Sequence, residues 1–299
     1  MAARIIDGTE IASRIRLEIA KGIETLKRNS GVTPGLAVVL VGDNPASRSY
    51  VRNKNKAAHE IGIYSEQHTL PESASETELL ALVEKLNADE KINGILVQLP
   101  LPAQISEQKV INAIAPYKDV DGFHPVSLGR IMTGERGFRP CTPFGIQKLL
   151  VYSGVKIAGS HVVVVGRSNI VGKPIANMLV QKGEDADATV TICHSRTRDL
   201  RSITLQADIL IAAIGRPEFI TADMVREGAV VIDVGINRIE DPTHPKGQRM
   251  VGDVKFDEVC RKAGAITPVP GGVGPMTITM LLFNTLQSAQ DAQQASLVR

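Results

Sequence analysis

The sequence predicts an α/β protein of two domains built on parallel sheets, and three observations carry that expectation. Unbroken runs of Val, Ile and Leu, such as "GLAVVLVG" at 35–42 and "HVVVVG" at 161–166, alternate with stretches of helical spacing. Such runs mark strands covered on both faces, and strand–helix alternation marks parallel sheets. A strand, a glycine turn and a helix follow one another in "VVVVGRSNIVGKPIANML". Between the two halves, the Gly- and Pro-rich segment from Lys118 to Thr142 is too long for an ordinary connection. It reads as a domain junction and a functional loop at once.

Taken in order, Ile11, Ile15, Ile19, Ile23 and Leu26 recur at helical spacing and predict an amphipathic N-terminal helix. The strand at 35–42 leads to a helix over "SYVRNKNKAAHEIGI", 49–63, where Tyr50 and Lys54 share a face because they lie four residues apart. A helical lysine is ordinarily solvated, so the spacing alone leaves the pair as surface decoration. A second helix is expected around "ETELLALVEKLNAD", then a strand over "NGILVQLP", 93–100, that ends with Gln98. In the second half, "ATVTICH" (188–194), "ADILIAAIG" (207–215) and "AVVIDVG" (229–235) complete a set of doubly covered strands. The expected boundaries are 1–139 for the first domain and 140–275 for the second. A C-terminal helix, 276–299, returns to complete the first, with a cleft between the two. The polar end, "SAQDAQQASLVR", reads as fraying.

Composition narrows the function classes. A net charge of +2 gives no basic surface for nucleic acid or membrane as the main partner. No apolar run approaches the ~20 residues of a membrane helix. The N-terminal stretch lacks the apolar core of a secretory signal, which fits a cytoplasmic protein. Cys141, Cys193 and Cys260 have no metal-ligand spacing, and the histidines form no HxxxH pair, so no metal is expected.

In the second half Gly166 ends a strand, Gly172 lies six residues on, and Pro174 falls in the first helical turn, where proline is tolerated. Backbone N–H groups at such a turn suit a pyrophosphate. Ser168 stands where G-x-G-x-x-G has its middle glycine, so a purely structural βα turn stays open on the motif alone. The next strand ends in His194, Ser195, Arg196, Thr197 and Arg198. Dinucleotide enzymes that use NAD carry a carboxylate there for the ribose hydroxyls. Hydroxyls and cations, with Arg167 in reach, suit a 2′-phosphate instead and favour NADP. Ile236, after Gly235, is expected to face the cofactor.

Seven segments, in register, resemble the bifunctional methylenetetrahydrofolate dehydrogenase/methenyltetrahydrofolate cyclohydrolase (FolD) family. They are "YVRNKNKAAHEIGI", "GILVQLPLP", "KDVDGFHP", "RPCTPFG", "VVVVGRSNIVGKP", "CHSRT" and "TPVPGGVGPMT", and they span essentially the whole chain. The resemblance implies a folate-binding catalytic domain and a Rossmann-like NADP-binding domain. It implies two reactions in succession: oxidation of 5,10-methylenetetrahydrofolate by NADP+, then hydrolysis of the 5,10-methenyl product to 10-formyltetrahydrofolate. By the same match Lys54, Tyr50, Gln98 and Asp121 are catalytic, and Val97, Leu99 and the turn Pro270, Gly271, Gly272, Val273, Gly274 line the folate site. Gly166, Arg167, Ser168, Ser195 and Ile236 correspond to cofactor contacts. A homodimer acting on tetrahydrofolate derivatives, and supplying purine, methionine and histidine synthesis, is implied as well.

The residue chemistry agrees with those roles. An amine that moves protons beside a cationic methenyl group has to be able to give its proton up. An amide partner such as Gln98 orients it without locking the proton on, as a carboxylate would. Asp121 can accept from the adjacent donors of an aminopyrimidinone edge. A different two-domain NADP dehydrogenase would explain "GRSNIVGKP" and "HSRT" but would not require Gln98, Asp121 and the Pro270 turn together. A degenerate binding protein of this fold would be marked by loss of Lys54 or Asp121, and both are present.

Overall fold

The computed structural model describes residues 2–243 and 247–297. The chain opens with β1 (Arg4–Ile5), α1 (Gly8–Ser30), β2 (Gly35–Val41), α2 (Pro45–Glu60), β3 (Tyr64–Leu70), α3 (Glu76–Ala88) and β4 (Gly94–Val97). Three helices follow, α4 (Glu107–Ala113), α5 (Pro125–Thr133) and α6 (Cys141–Tyr152). Then come β5 (His161–Val165), α7 (Gly172–Leu179), β6 (Thr189–Cys193), α8 (Leu200–Thr204), β7 (Ile209–Ala212) and β8 (Val230–Asp233). The remainder is β9 (Asn237–Glu240), β10 (Gln248–Val251), α9 (Phe256–Val259), β11 (Ala265–Ile266) and α10 (Val273–Leu297).

Two compact units result. One comprises Ser13–Cys141 and Ile278–Arg299, the other Met1–Ala12 and Thr142–Thr277. The first unit is organised by a three-stranded sheet in the order β3-β2-β4, parallel throughout. Every residue of β2, "GLAVVLV", is buried, because both its faces are covered. Each such Val or Leu contributes about 1.5–3 kcal/mol relative to exposure. The isoleucines of α1 from Ile15 to Ile23 are buried as the spacing predicts. Gly22 gives α10 room at Leu286, and α10 is fastened by polar groups. Asn284 Nδ2 donates to the Val120 and Arg139 carbonyls, and Ser288 Oγ to those of Asn93 and Tyr117.

The second unit holds a six-stranded sheet in the order β1-β11-β8-β7-β5-β6, every pairing parallel, and an antiparallel hairpin of β9 and β10. Its core joins Val163, Val165, Leu210, Ala212, Val231 and Ile266 from four strands and the helices around them. β1 pairs in register with β11, Arg4 to Ala265 and Ile5 to Ile266. That pairing places the first twelve residues in this unit, whereas the sequence reading had assigned them to the first domain.

Four further expectations are corrected. β6 is the edge strand of its sheet, paired with β5, and Ile192 on it is exposed, so it is not covered on both faces. Gln98 lies one residue past β4, although its N–H still reaches the Val39 carbonyl at 2.8 Å. The segment 118–142 contains α5, closed by Gly134 in the left-handed region. The end expected to fray continues as helix to Leu297, held by buried Ser288; the last two positions of the expected 276–299 helix lie outside the described residues.

Candidate functional site

In the first unit, α2 carries the leading candidates. Asn44 caps it, its Oδ1 accepting from the Ala46 and Ser47 N–H groups, and Pro45 occupies the first turn. Ser47, Val51, Lys54 and Ala58 make its buried stripe, so Lys54 points into the unit and is 8% exposed, while Tyr50 at the margin is 38% exposed. The surface reading of the lysine is thereby overturned. Lys54 Nζ donates to Gln98 Oε1 at 3.0 Å. The orientation of that amide is fixed, since Gln98 Nε2 donates to the Leu99 carbonyl at 2.7 Å. Val97, at the end of β4, is buried, and Gln98 and Leu99 are half-buried. The hydrogen-bond partner of this buried amine is thus a neutral amide.

Asp121 is held nearby by a loop built for the purpose. Asp119, 2% exposed, accepts from the Phe123 and His124 N–H groups and from Ser127 Oγ at 2.6 Å. Burial nevertheless lifts the Asp119 pKa to about 6, against those three hydrogen bonds. Gly122, at φ +77, packs against the Arg139–Pro140 backbone where no side chain fits. The Cys141 N–H donates to the Asp121 carbonyl at 3.3 Å. Burial raises the Asp121 pKa, while the Lys54 charge and the Cys141 thiol pull it back. So a carboxylate does stand within electrostatic reach of Lys54, in addition to the amide. Burial pushes the Cys141 thiol well up, which leaves it a protonated neighbour rather than a nucleophile.

In the second unit, the candidates gather at the carboxyl edge of the sheet. Gly166 has φ +137, and a Cβ there would strike the Ala213 carbonyl; a Cβ on Gly172 would strike that of Gly166. Ser168 Oγ accepts from the Val171 and Gly172 N–H groups at 3.1 and 3.3 Å and so takes the place of a helix cap that Val171 does not supply. The tip after β6 is shaped by Thr197, whose Oγ1 accepts from the His194 N–H at 2.9 Å, leaving Ser195 and Arg196 exposed. Asp199, the carboxylate nearest that tip in sequence, caps α8 through the Ser202 N–H. Ile236 is 45% exposed, and its Cδ1 lies 3.9 Å from the point a Cβ of Gly274 would occupy. The turn that opens α10 therefore meets the loop after β8. That turn is locked at its start, where Thr9 N–H donates to the Gly271 carbonyl at 3.1 Å and a Cβ on Gly8 would strike that of Gly272.

The glycine-lined turn, the open hydroxyl and cations after β6, and a tip without a free carboxylate fit a phosphorylated dinucleotide. Among the described residues no group of three or more His, Cys, Asp or Glu is placed to hold a metal ion. No described helix is long and apolar enough to cross a membrane. Sequence reasoning missed the supporting residues Asn284 and Asp253. Asp119 lies within the quoted "KDVDGFHP" segment, where sequence reasoning assigned it no role.

Two family models match the chain. The tetrahydrofolate dehydrogenase/cyclohydrolase catalytic domain matches residues 6–121, and the NAD(P)-binding domain of the same family matches residues 140–293. The chain belongs to the tetrahydrofolate dehydrogenase/cyclohydrolase family. Among members of this family, the bifunctional protein FolD of Dehalococcoides mccartyi (strain CBDB1) is 63% identical over 293 residues, covering 98% of each chain. The structure of bifunctional FolD from Campylobacter jejuni has a TM-score of 0.91 and 47% identity, over 97% of this chain and 100% of that one. The Trypanosoma brucei FolD structure, complexed with NADP cofactor and an inhibitor, has a TM-score of 0.92 and 40% identity, over 98% and 99%.

Proposed function

We propose that this chain oxidises 5,10-methylenetetrahydrofolate to 5,10-methenyltetrahydrofolate with NADP+, and then hydrolyses that product to 10-formyltetrahydrofolate. The observation that carries the reading is the buried Lys54–Gln98 contact, at 3.0 Å, in a chain that matches both domains of the family. NADP+, when bound, supplies the two-electron oxidant for the first reaction. The second consumes one water and releases one proton, with no change of oxidation state.

Each site residue has work that its position supports. Lys54, oriented by Gln98, is the group that takes and returns protons as water adds to the methenyl carbon and the ring opens. Tyr50, half-exposed on the same helix face, contacts the folate ring. Asp121 accepts from the pterin donors, and Val97 and Leu99 line the folate site. Pro270, Gly271, Gly272, Val273 and Gly274 line the folate site through backbone. Gly166, Arg167 and Ser168 take the pyrophosphate side of the cofactor, Ser195 with its basic neighbours the 2′-phosphate, and Ile236 the nicotinamide side. We assign 1–139 with 276–299 to the catalytic domain and 140–275 to the NADP-binding domain as functional divisions, with β1 packed into the sheet of the second by its pairing with β11. We also propose that the protein is a cytoplasmic homodimer feeding one-carbon units to purine, methionine and histidine synthesis, on the strength of the family resemblance.

The test is a spectrum-resolved assay of purified protein with methylenetetrahydrofolate and either NADP+ or NAD+. NADPH should appear, and acid should regenerate methenyl product from the formyl compound formed meanwhile. Reduction of neither cofactor, by a protein that still binds NADP+, removes the folate assignment.

A further inference from the structure

Asp253 is fully buried, at 0% exposure, and its side chain accepts from the turn after β7 and from the start of the β9–β10 hairpin. Its Oδ2 accepts from the backbone N–H groups of Ile214 at 2.6 Å and Gly215 at 2.8 Å, in the turn after β7. Its Oδ1 accepts from Asn237 Nδ2 at 2.9 Å, one residue beyond Ile236. Asp233, 3% exposed, stands beside it and accepts from the N–H groups of Gly235, Asp253 and Val254. The packing is reciprocal: a Cβ on Gly235 would run into Asp253, and one on Gly252 into Asp233.

A buried carboxylate is costly unless its oxygens are well supplied with donors, and a turn can be closed by cheaper means. Here the donors belong to the residues whose placement sets the cofactor edge. Ala213, immediately before Ile214, is the residue whose carbonyl leaves no room for a side chain at Gly166. Asn237 follows Ile236, so its amide anchors the start of the hairpin on which that side chain depends. One carboxylate thus spans the turn behind Gly166 and the loop carrying Ile236.

We infer that Asp253 is a positioning residue for the oxidation half of the reaction, fixing the Ala213–Gly215 turn and, through Asn237, Ile236, before the cofactor arrives. The inference rests on the reading of the cofactor half given above. Asp253 itself touches neither substrate nor cofactor. Transfer between two bound carbons is sensitive to misplacement, whereas hydrolysis of methenyltetrahydrofolate involves no redox partner. Loss of Asp253 should therefore separate the two activities.

In Asp253→Asn an amide N–H faces either Asn237 Nδ2 or the Ile214 and Gly215 N–H pair, both of which are donors. In the double variant Asp253→Asn/Asn237→Asp the amide can donate to the new carboxylate while its oxygen keeps the turn. We expect the single variant to show a KM for NADP+ raised about tenfold or more, with hydrolysis of methenyltetrahydrofolate close to wild type. The double variant should recover most of the loss. Parallel loss of both activities, an unchanged KM, or a folded double variant without recovery overturns the inference. If the single variant does not fold, Asn237→Ala removes one donor only and should raise the same KM by a smaller factor; an unchanged KM there overturns it too. A wild-type protein that neither reduces NADP+ nor hydrolyses methenyltetrahydrofolate removes the functional reading instead, and NADP+ affinity by calorimetry then tests Asp253 alone.

Discussion

Where the first unit presents chemistry through side chains, the second presents it through backbone. Around Lys54, an amine, an amide and a carboxylate arrive from α2, the end of β4 and the loop after α4, and each is steered by a fixed hydrogen bond or by burial. Around Gly166, side chains are removed so that carbonyls and N–H groups can pack closely, and carboxylates hold the turns from behind. The difference teaches where each half is vulnerable. Removing one functional group should abolish a step in the first unit. In the second unit, adding a single methyl group should be enough to block binding.

The largest effect is expected from Lys54→Met, which should slow hydrolysis of methenyltetrahydrofolate by about 10²–10⁴-fold while the protein still binds NADP+. Near-normal formyl product would take Lys54 out of the mechanism. Next, Gly166→Ala forces a side chain against the Ala213 carbonyl at a left-handed φ, at a cost of about 1–3 kcal/mol. Its NADP+ affinity, by calorimetry, should fall sharply while hydrolysis persists; equal loss of both would erase the contrast between the units. Asp119→Ala strips three donors of their acceptor and should lower the urea midpoint by the equivalent of about 1–3 kcal/mol, with a raised KM for the folate. A normal KM would show that the loop holds Asp121 without it.

The last prediction concerns proton linkage. Burial raises the Asp233 pKa to about 7, from 3.8 when unfolded, so the native state holds a proton that the unfolded chain has lost. A raised carboxyl pKa means that this group's contribution to stability declines as pH climbs from about 4 to about 7. Compared with Asp233→Asn, the wild type should therefore lose stability between pH 5 and pH 7. Parallel stability curves for the two proteins would show that Asp233 is ionised throughout.

Legibility in the sequence followed burial. β2, β5, β7 and β8 are apolar runs and were placed to within a few residues because both faces of each are covered. β3, "YSEQHTL", was missed since an edge strand with half-exposed faces carries polar residues that hide its pairing with β2. The two-residue strands β1 and β11 offer no pattern at all, and only their pairing reveals that the N-terminus belongs with the nucleotide-type sheet. At the site, Tyr50 and Lys54 were visible through helical spacing, and Gln98 as a polar residue closing an apolar run. Asp253 was not, because its partners Ile214 and Gly215 lie 39 and 38 residues away and nothing local marks the link. An acid within two residues of a glycine, as in "DVG" and "GD", is the faint signal that was available.

The pairing of β1 with β11 also has a bearing on how the protein is made. Arg4 leaves the ribosome early, yet its partner Ala265 is not yet translated. At roughly 5–20 residues per second, the interval is on the order of 13–50 seconds. β2, β3 and β4 can pair long before that, since all three precede β11 by more than 160 residues, β4 ending at Val97 and β11 starting at Ala265. One edge of the larger sheet thus stays open through most of synthesis, with the apolar flank of β8 uncapped once β8 has emerged. A nascent chain stalled before residue 265 should be bound by chaperones through this edge, and released once the last strand joins.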